Sequence, residues 1–200
     1  MKGGKNIGWI ILAAILIIFG VWGCSSYNGL VDKDEAVTKS WANVNTEYQK
    51  RYDLIDNLVE VVKGAADFEK ETLTQVVEAR AKATSVNFTA DQLTPENMAK
   101  FQQVQSEMSG ALSRLLVTVE NYPQLKATEN FTRLQNSVEG IENEVRNARN
   151  NFNEAVREYN VKVRRFPGNI MANLFDFEKK ESFKSDEGAE KAPKIKLTDK

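Results

Sequence analysis

An all-α fold, an antiparallel up-down four-helix bundle behind an N-terminal transmembrane helix, is predicted by three features of the sequence. An uncharged apolar run covers Ile7 to Gly23. Beyond it, apolar residues recur in alternating steps of four and three, the spacing of one helical face. Glycine and proline are scarce, 11 and 4 in 200 residues, so little interrupts such helices.

The opening segment "MKGGKNIGWIILAAILIIFGVWGCSSYN" carries Lys2 and Lys5 ahead of the run. At 1.5 Å per residue, a helix over Ile7–Gly23 reaches roughly 25 Å, slightly short of a hydrocarbon core. Trp9, Trp22 and Tyr27 stand near its ends, where amphipathic rings favour the membrane interface. The lysines hold residues 1–6 in the cytoplasm as a stub and direct the rest outward, so 7–23 reads as a signal-anchor. Two rivals stand beside that reading. The glycine before Cys24 in "VWGC" fits lipidation of that cysteine, although Trp22 fits it poorly. Simple cleavage asks for small residues at alternate positions, which Trp22 and Cys24 spoil.

The bundle is predicted over residues 27–183. Its first helix, Tyr27 to Lys63, carries Leu30, Asp34, Val37, Trp41, Val44, Tyr48, Arg51, Ile55, Leu58 and Val62 on one seam. Gly64 interrupts it, because an unbroken helix would leave its membrane-proximal half with little to pack against. A less amphipathic second helix covers about Asp67 to Thr84. Thr94 is placed as N-cap and Pro95 at the first position of a third helix, marked by Phe101, Val104, Met108, Leu112, Leu115 and Val119. Pro123 ends that helix. The fourth, from about Lys126 to Arg165, repeats the rhythm through Phe131, Leu134, Val138, Ile141, Val145, Ala148, Phe152, Ala155 and Tyr159. Short connectors favour antiparallel neighbours, so both long helices return to the membrane. Residues 184–200 read as a disordered polar tail.

Composition excludes several chemistries. The net charge of −1 leaves no electrostatic footprint for nucleic acid. Histidine is absent and Cys24 is the sole cysteine, so the commonest general base, an internal disulfide and a thiolate metal site are all ruled out. No phosphate loop, nucleophile elbow or zinc spacing occurs. The "NFT" triplets at Asn87 and Asn130 are weak glycosylation signals. No catalytic residue, cofactor or metal is expected.

Three groups of polar or exposed residues ask for an explanation. Arg51 falls on the apolar seam, beside Asp53 and Asp56. A buried arginine needs carboxylate partners from facing helices, and such a set fixes register more readily than it catalyses. Arg146, Asn150, Asn153, Arg157, Asn160 and Arg164 form a strip beside the seam of the fourth helix. Its asparagines fit interhelical hydrogen bonds, with recognition of an acidic partner or lipid headgroups as the functional alternative. Ile170, Met171, Leu174, Phe175 and Phe177 follow Pro167 as an apolar cluster that fits the membrane interface or a lid on the bundle end.

The blocks "YNGLVDKDEAV", "KRYDLIDNLVEVVKG", "EKETLTQVVEARAKA", "YPQLKATENFTRLQ", "EGIENEVRNARNNFNEAVREYN" and "FPGNIMANLF" resemble the successive signature blocks of the LemA family, from about Tyr27 to Phe183. The resemblance implies a bacterial-type, membrane-attached, up-and-down four-helix bundle and brings no established catalytic residues. The family usually has proline where this chain has Asp56 and histidine where it has Phe68. Loss of that histidine argues against family chemistry at that position here. The expected function is a single-pass, extracytoplasmic interaction or scaffold module of the cell envelope, without enzyme activity. Its partners are the lipid bilayer and an envelope protein that the sequence does not name, with self-association into a homo-oligomer also open. The alternative is a metal- or ligand-binding protein or enzyme using Asp53, Asp56 and Glu60.

Overall fold

The computed structural model describes residues 4–64 and 68–184, and every regular element among them is helical. Helix α1 runs from Gly4 to Lys63 without a break, 60 residues in all. Its length is therefore about 90 Å. The apolar run and the first bundle helix, expected as separate pieces, are one element. No residue between Gly23 and Tyr27 removes a backbone donor, so the hydrogen-bond ladder passes straight through.

The two parts of α1 nevertheless differ in surroundings. The first is long and apolar enough to cross a membrane, with a mean hydropathy of 2.2 and no buried residue in its most apolar window. From Leu30 onward the four-three seam is covered: Leu30, Val37, Trp41, Val44, Tyr48, Arg51, Ile55, Leu58 and Val62 are all buried. Asp34 stays half-buried and pairs with Lys180 at 2.5 Å. The helix ends where expected, and Gly64 closes the last turn through its N–H to the Glu60 carbonyl at 3.3 Å.

Helix α2 covers Lys70–Ser85 and buries Leu73, Val76, Ala79 and Ala83. Its expected start near Asp67 lies outside the described residues. A short 3-10 turn at Ala90–Gln92 leads into α3, Pro95–Val119. Here Thr94 Oγ1 accepts the Asn97 N–H at 3.2 Å, and Pro95 occupies the first helical position, as its missing donor allows. Val104 is only half-buried, and Gln105 takes a place in the core instead.

Pro123 does not terminate α3, which already stops at Val119; it starts a separate turn, α4, Pro123–Lys126. Thr128 then caps α5, Glu129–Arg164, by accepting the Phe131 N–H at 3.3 Å. The final helix thus begins three residues later than the periodicity implied. Its seam is as expected except at Leu134, which is half-buried, and near Ala155, where Val156 is the buried residue. Helix α6, Gly168–Leu174, folds back against the end of α5. A Cβ at Gly168 would lie 2.3 Å from the Lys162 carbonyl oxygen, so only glycine permits that approach. Asp176, at φ 56°, turns the chain once more.

Ion pairs and ring contacts give the helix directions. Lys33 meets Glu158 at 2.7 Å and Arg51 meets Glu142 at 2.9 Å, so α1 and α5 are antiparallel. Trp41 packs on Phe101 and Arg51 bonds Ser109, so α1 and α3 run together. Gln75 with Arg114 and Lys82 with Glu107 make α2 and α3 antiparallel. Arg80 pairs with Asp56, tying α2 to α1.

Cys24 is exposed on the unbroken part of α1. If the apolar span is itself the anchor, Cys24→Ser leaves the protein in the membrane fraction at full-chain mass. Mass spectrometry that finds a chain beginning at Cys24 with added acyl groups would identify a processed lipoprotein instead.

Candidate functional site

Arg51 is 2% exposed although its neighbours on the α1 seam are apolar. Its Nη2 donates to Ser109 Oγ at 2.7 Å on α3. Its Nε lies 2.9 Å from Glu142 Oε1 on α5 without hydrogen-bond alignment, so that contact is mainly electrostatic. One guanidinium therefore locks three helices at one level, the register role that the sequence implied. Beside it, Gln105 Nε2 donates to the Tyr52 hydroxyl at 2.5 Å, while its buried Oε1 has no partner. Burial pushes the Tyr48 phenol up to about 12, against a smaller opposing pull from Arg149 and Arg51.

The carboxylates of the alternative reading do not converge. Asp53, Asp56 and Glu60 are all exposed on α1. Gln49 donates to Asp53 at 2.8 Å, and Asp56 is taken by Arg80. Among the described residues no group of three potential ligands gathers to hold a metal.

The polar strip on α5 has a different use from the interhelical one expected. Residues 178–184 run back along the groove beside α5 as a strap. Asn160 Nδ2 donates to the Lys180 carbonyl at 2.8 Å, and its Oδ1 accepts the Lys180 N–H at 3.0 Å. Asn153 treats Phe183 in the same way, at 3.3 and 2.8 Å. The Tyr159 hydroxyl donates to the Glu178 carbonyl at 2.8 Å. Each amide satisfies backbone groups that a strand neighbour would otherwise pair. Of the other strip residues, Arg157 is held by Glu154 within the helix, Arg164 is exposed, and Arg146 bonds Asn143 at 3.1 Å.

Side chains fix the strap's position. Phe183 is 5% exposed, with ring centroids 6.0 Å from Trp41, 6.2 Å from Phe101 and 5.5 Å from Phe152. The Arg149 guanidinium carbon sits 4.7 Å from the centre of the Phe183 ring. Sequence reasoning missed this strap. Its available signals were two asparagines seven apart on α5 and one phenylalanine alone among polar residues.

Beyond Phe183 the groove opens into a cleft of about 440 Å³ between α3 and α5. Arg51 and Gln105 lie at its base, and Arg146, Arg149, Asn150 and Lys184 line it. At the other end of the helical body, α6 packs beside the apolar span. Trp22 meets Phe166 at 5.9 Å and Tyr27 meets Phe175 at 4.8 Å. Phe166, Ile170, Leu174 and Phe175 are exposed there. Met171 and Phe177, placed in the same cluster from sequence, turn inward and pack partly against the core.

These contacts set two expectations for stability. Arg51→Ala costs about 3 kcal/mol in chemical denaturation, the low end for a stranded charge because Glu142 keeps water contact. Gln49→Ala, on the exposed face, changes little. Separately, Phe183→Ala and Asn153→Ala release the strap, at about 3 and about 1–2 kcal/mol. Faster tryptic cleavage after Lys180 and Lys184, with helicity retained, checks that release.

The LemA family model matches residues 40–197 of this chain. A search of curated proteins gave no match. The matched stretch takes in Arg51, the α5 asparagines and Phe183, and the chain belongs to the LemA family.

Proposed function

We propose that this protein is a single-pass, membrane-anchored interaction or scaffold module of the cell envelope, without catalytic activity. Its four long helices work as an up-down bundle held outside the cytoplasm. The observation that carries this reading is the continuity of α1: a bare apolar span passes without a joint into a fully covered seam. Such a helix has no stable place in water along its first part and no stable place in lipid along its second. The boundary between them coincides with the exposed aromatic and aliphatic residues around α6, which suit a headgroup layer. Lys2 and Lys5 ahead of the span favour a cytoplasmic N-terminus.

The absence of catalytic activity is supported by how the unusual side chains are used. Arg51 and the strip asparagines work on register and on the strap, and Asp53 and Asp56 of α1 face separate partners, the Gln49 amide and Arg80. The partners in this reading are the bilayer and another envelope protein.

Topology tests the proposal directly. A reporter enzyme that folds only after export, fused after Lys200, is expected to be active. Activity from a reporter that works only in the cytoplasm, at the same junction, would invert the arrangement and sink it.

A further inference from the structure

We infer that α6 and its flanking residues sit in a phospholipid bilayer, at the boundary between headgroups and acyl chains. There they complete a span that is too short to cross alone. The inference rests on the reading of the protein as membrane-anchored and gives the helical body a second place of contact with the lipid.

Helix α6 is turned the wrong way round for water. Its buried residues are small, Gly168 and Ala172, whereas Ile170 and Leu174, four apart on one face, are 47% and 66% exposed. Phe166 and Phe175, at either end, are 71% and 52% exposed. A surface helix bathed in water turns its larger apolar side chains inward. The patch is also continuous with the bare span, since Trp22 meets Phe166 and Tyr27 meets Phe175.

The level of this patch along α1 is the second observation. The uncharged run begins at Ile7, and about 20 helical residues cross a hydrocarbon core, which puts the far boundary near Ser26. The apolar run ends at Gly23, about 5 Å lower. Helix α6 lies beside that gap. A Cβ on Gly23 would sit 3.7 Å from Met171 Cε, and Ser26 is 6% exposed although the span below it is bare. Apolar side chains of α6 and its flanks therefore stand where the span's own give out. A span shorter than the core carries a cost that rises with each ångström of mismatch, and filling the gap reduces it.

Charge at the same level is the third. Lys33 pairs with Glu158, and α5 runs antiparallel to α1. Six and seven residues past Glu158, Arg164 and Arg165 arrive level with Tyr27 and Ser26. Both are exposed, and neither guanidinium has a partner among the described residues. Lipid phosphates lie at that height, within reach of a guanidinium whose stem rests on the acyl boundary.

The test places nitroxide labels on single cysteines in the full chain carrying Cys24→Ser, reconstituted in vesicles of phosphatidylcholine and phosphatidylglycerol. Phe166→Cys and Leu174→Cys report on the patch, Ile15→Cys on the middle of the span and Val117→Cys on an exposed place of α3. Collision with oxygen, which concentrates in lipid, is compared with collision with a water-soluble nickel chelate. The oxygen-to-nickel ratio is expected to be about fivefold higher at positions 166 and 174 than at position 117, and highest at position 15.

A ratio at positions 166 and 174 equal to that at 117, with position 15 shielded from nickel, overturns the inference and leaves the anchor standing. Exclusion of both reagents from the patch, with broadening between labels that disappears on dilution with unlabelled chains, means that a second copy covers it and overturns the inference too. Nickel contact at position 15 matching that at 117 puts the span itself outside the lipid, which removes the anchored reading and this inference with it.

Discussion

The constraint on which the rest depends is that a single helix carries two surfaces of different kind. Along its first part α1 presents apolar side chains on every face, and along its second it presents one apolar seam. Only the seam can be covered by protein of this size. Helix α5 covers most of it, α3 and α2 cover the distal part, and α6 with the strap closes what α5 leaves near the span. Each later element in the chain can be understood by which stretch of that seam it removes from water.

Burial of the seam alone would permit sliding, since apolar contacts are not directional. Directional contacts at separate levels oppose it. Near the middle, Arg51 joins α1 to Ser109 and Glu142. Nearer the span, Lys180 reaches Asp34 at 2.5 Å from the strap. Trp41 adds a third level, donating its ring N–H to the Phe88 carbonyl at 2.7 Å in the α2–α3 connector. A slip of one helical turn would strand all three polar groups together, which makes the arrangement specific as well as stable.

Much of this was legible in the sequence because helical seams leave a periodic trace. Every seam position named for α1 except Asp34 is fully buried, and the cap at Thr94 has the geometry its residue type implied. The burial of Arg51 and its carboxylate partner were also readable, since a charge at a seam position has few other solutions. The strap was not. Residues 178–184 have no hydrophobic period, and their order comes from amides on a helix far away in sequence. Asn153 and Asn160 looked like interhelical residues because their spacing matches that use equally well. The joining of span and seam into one rod was not read for a different reason: the uniform apolar run and the four-three seam are different patterns, and Cys24, Ser25 and Ser26 between them belong to neither. The cleft lay beyond reach for the same reason as the strap, because its residues come from α1, α3, α5 and the chain after Asp176.

The unbroken α1 also has an angular consequence. Each residue of an α-helix turns the next by about 100°, so the apolar span and the buried seam are fixed in phase as well as in position. Trp22 and Tyr27 reach Phe166 and Phe175 only because that phase is right. Loss of one residue between Gly23 and Tyr27 would swing Trp22 away from α6 while leaving hydropathy untouched. A loss of seven from this part of the helix would restore the angle to within about 20° but draw the span in by about 10.5 Å, so angle and height are keyed together. The join between apolar span and helical body therefore behaves as a keyed coupling: rotation of the span about its own axis is passed to the level of Arg51 without a hinge to absorb it.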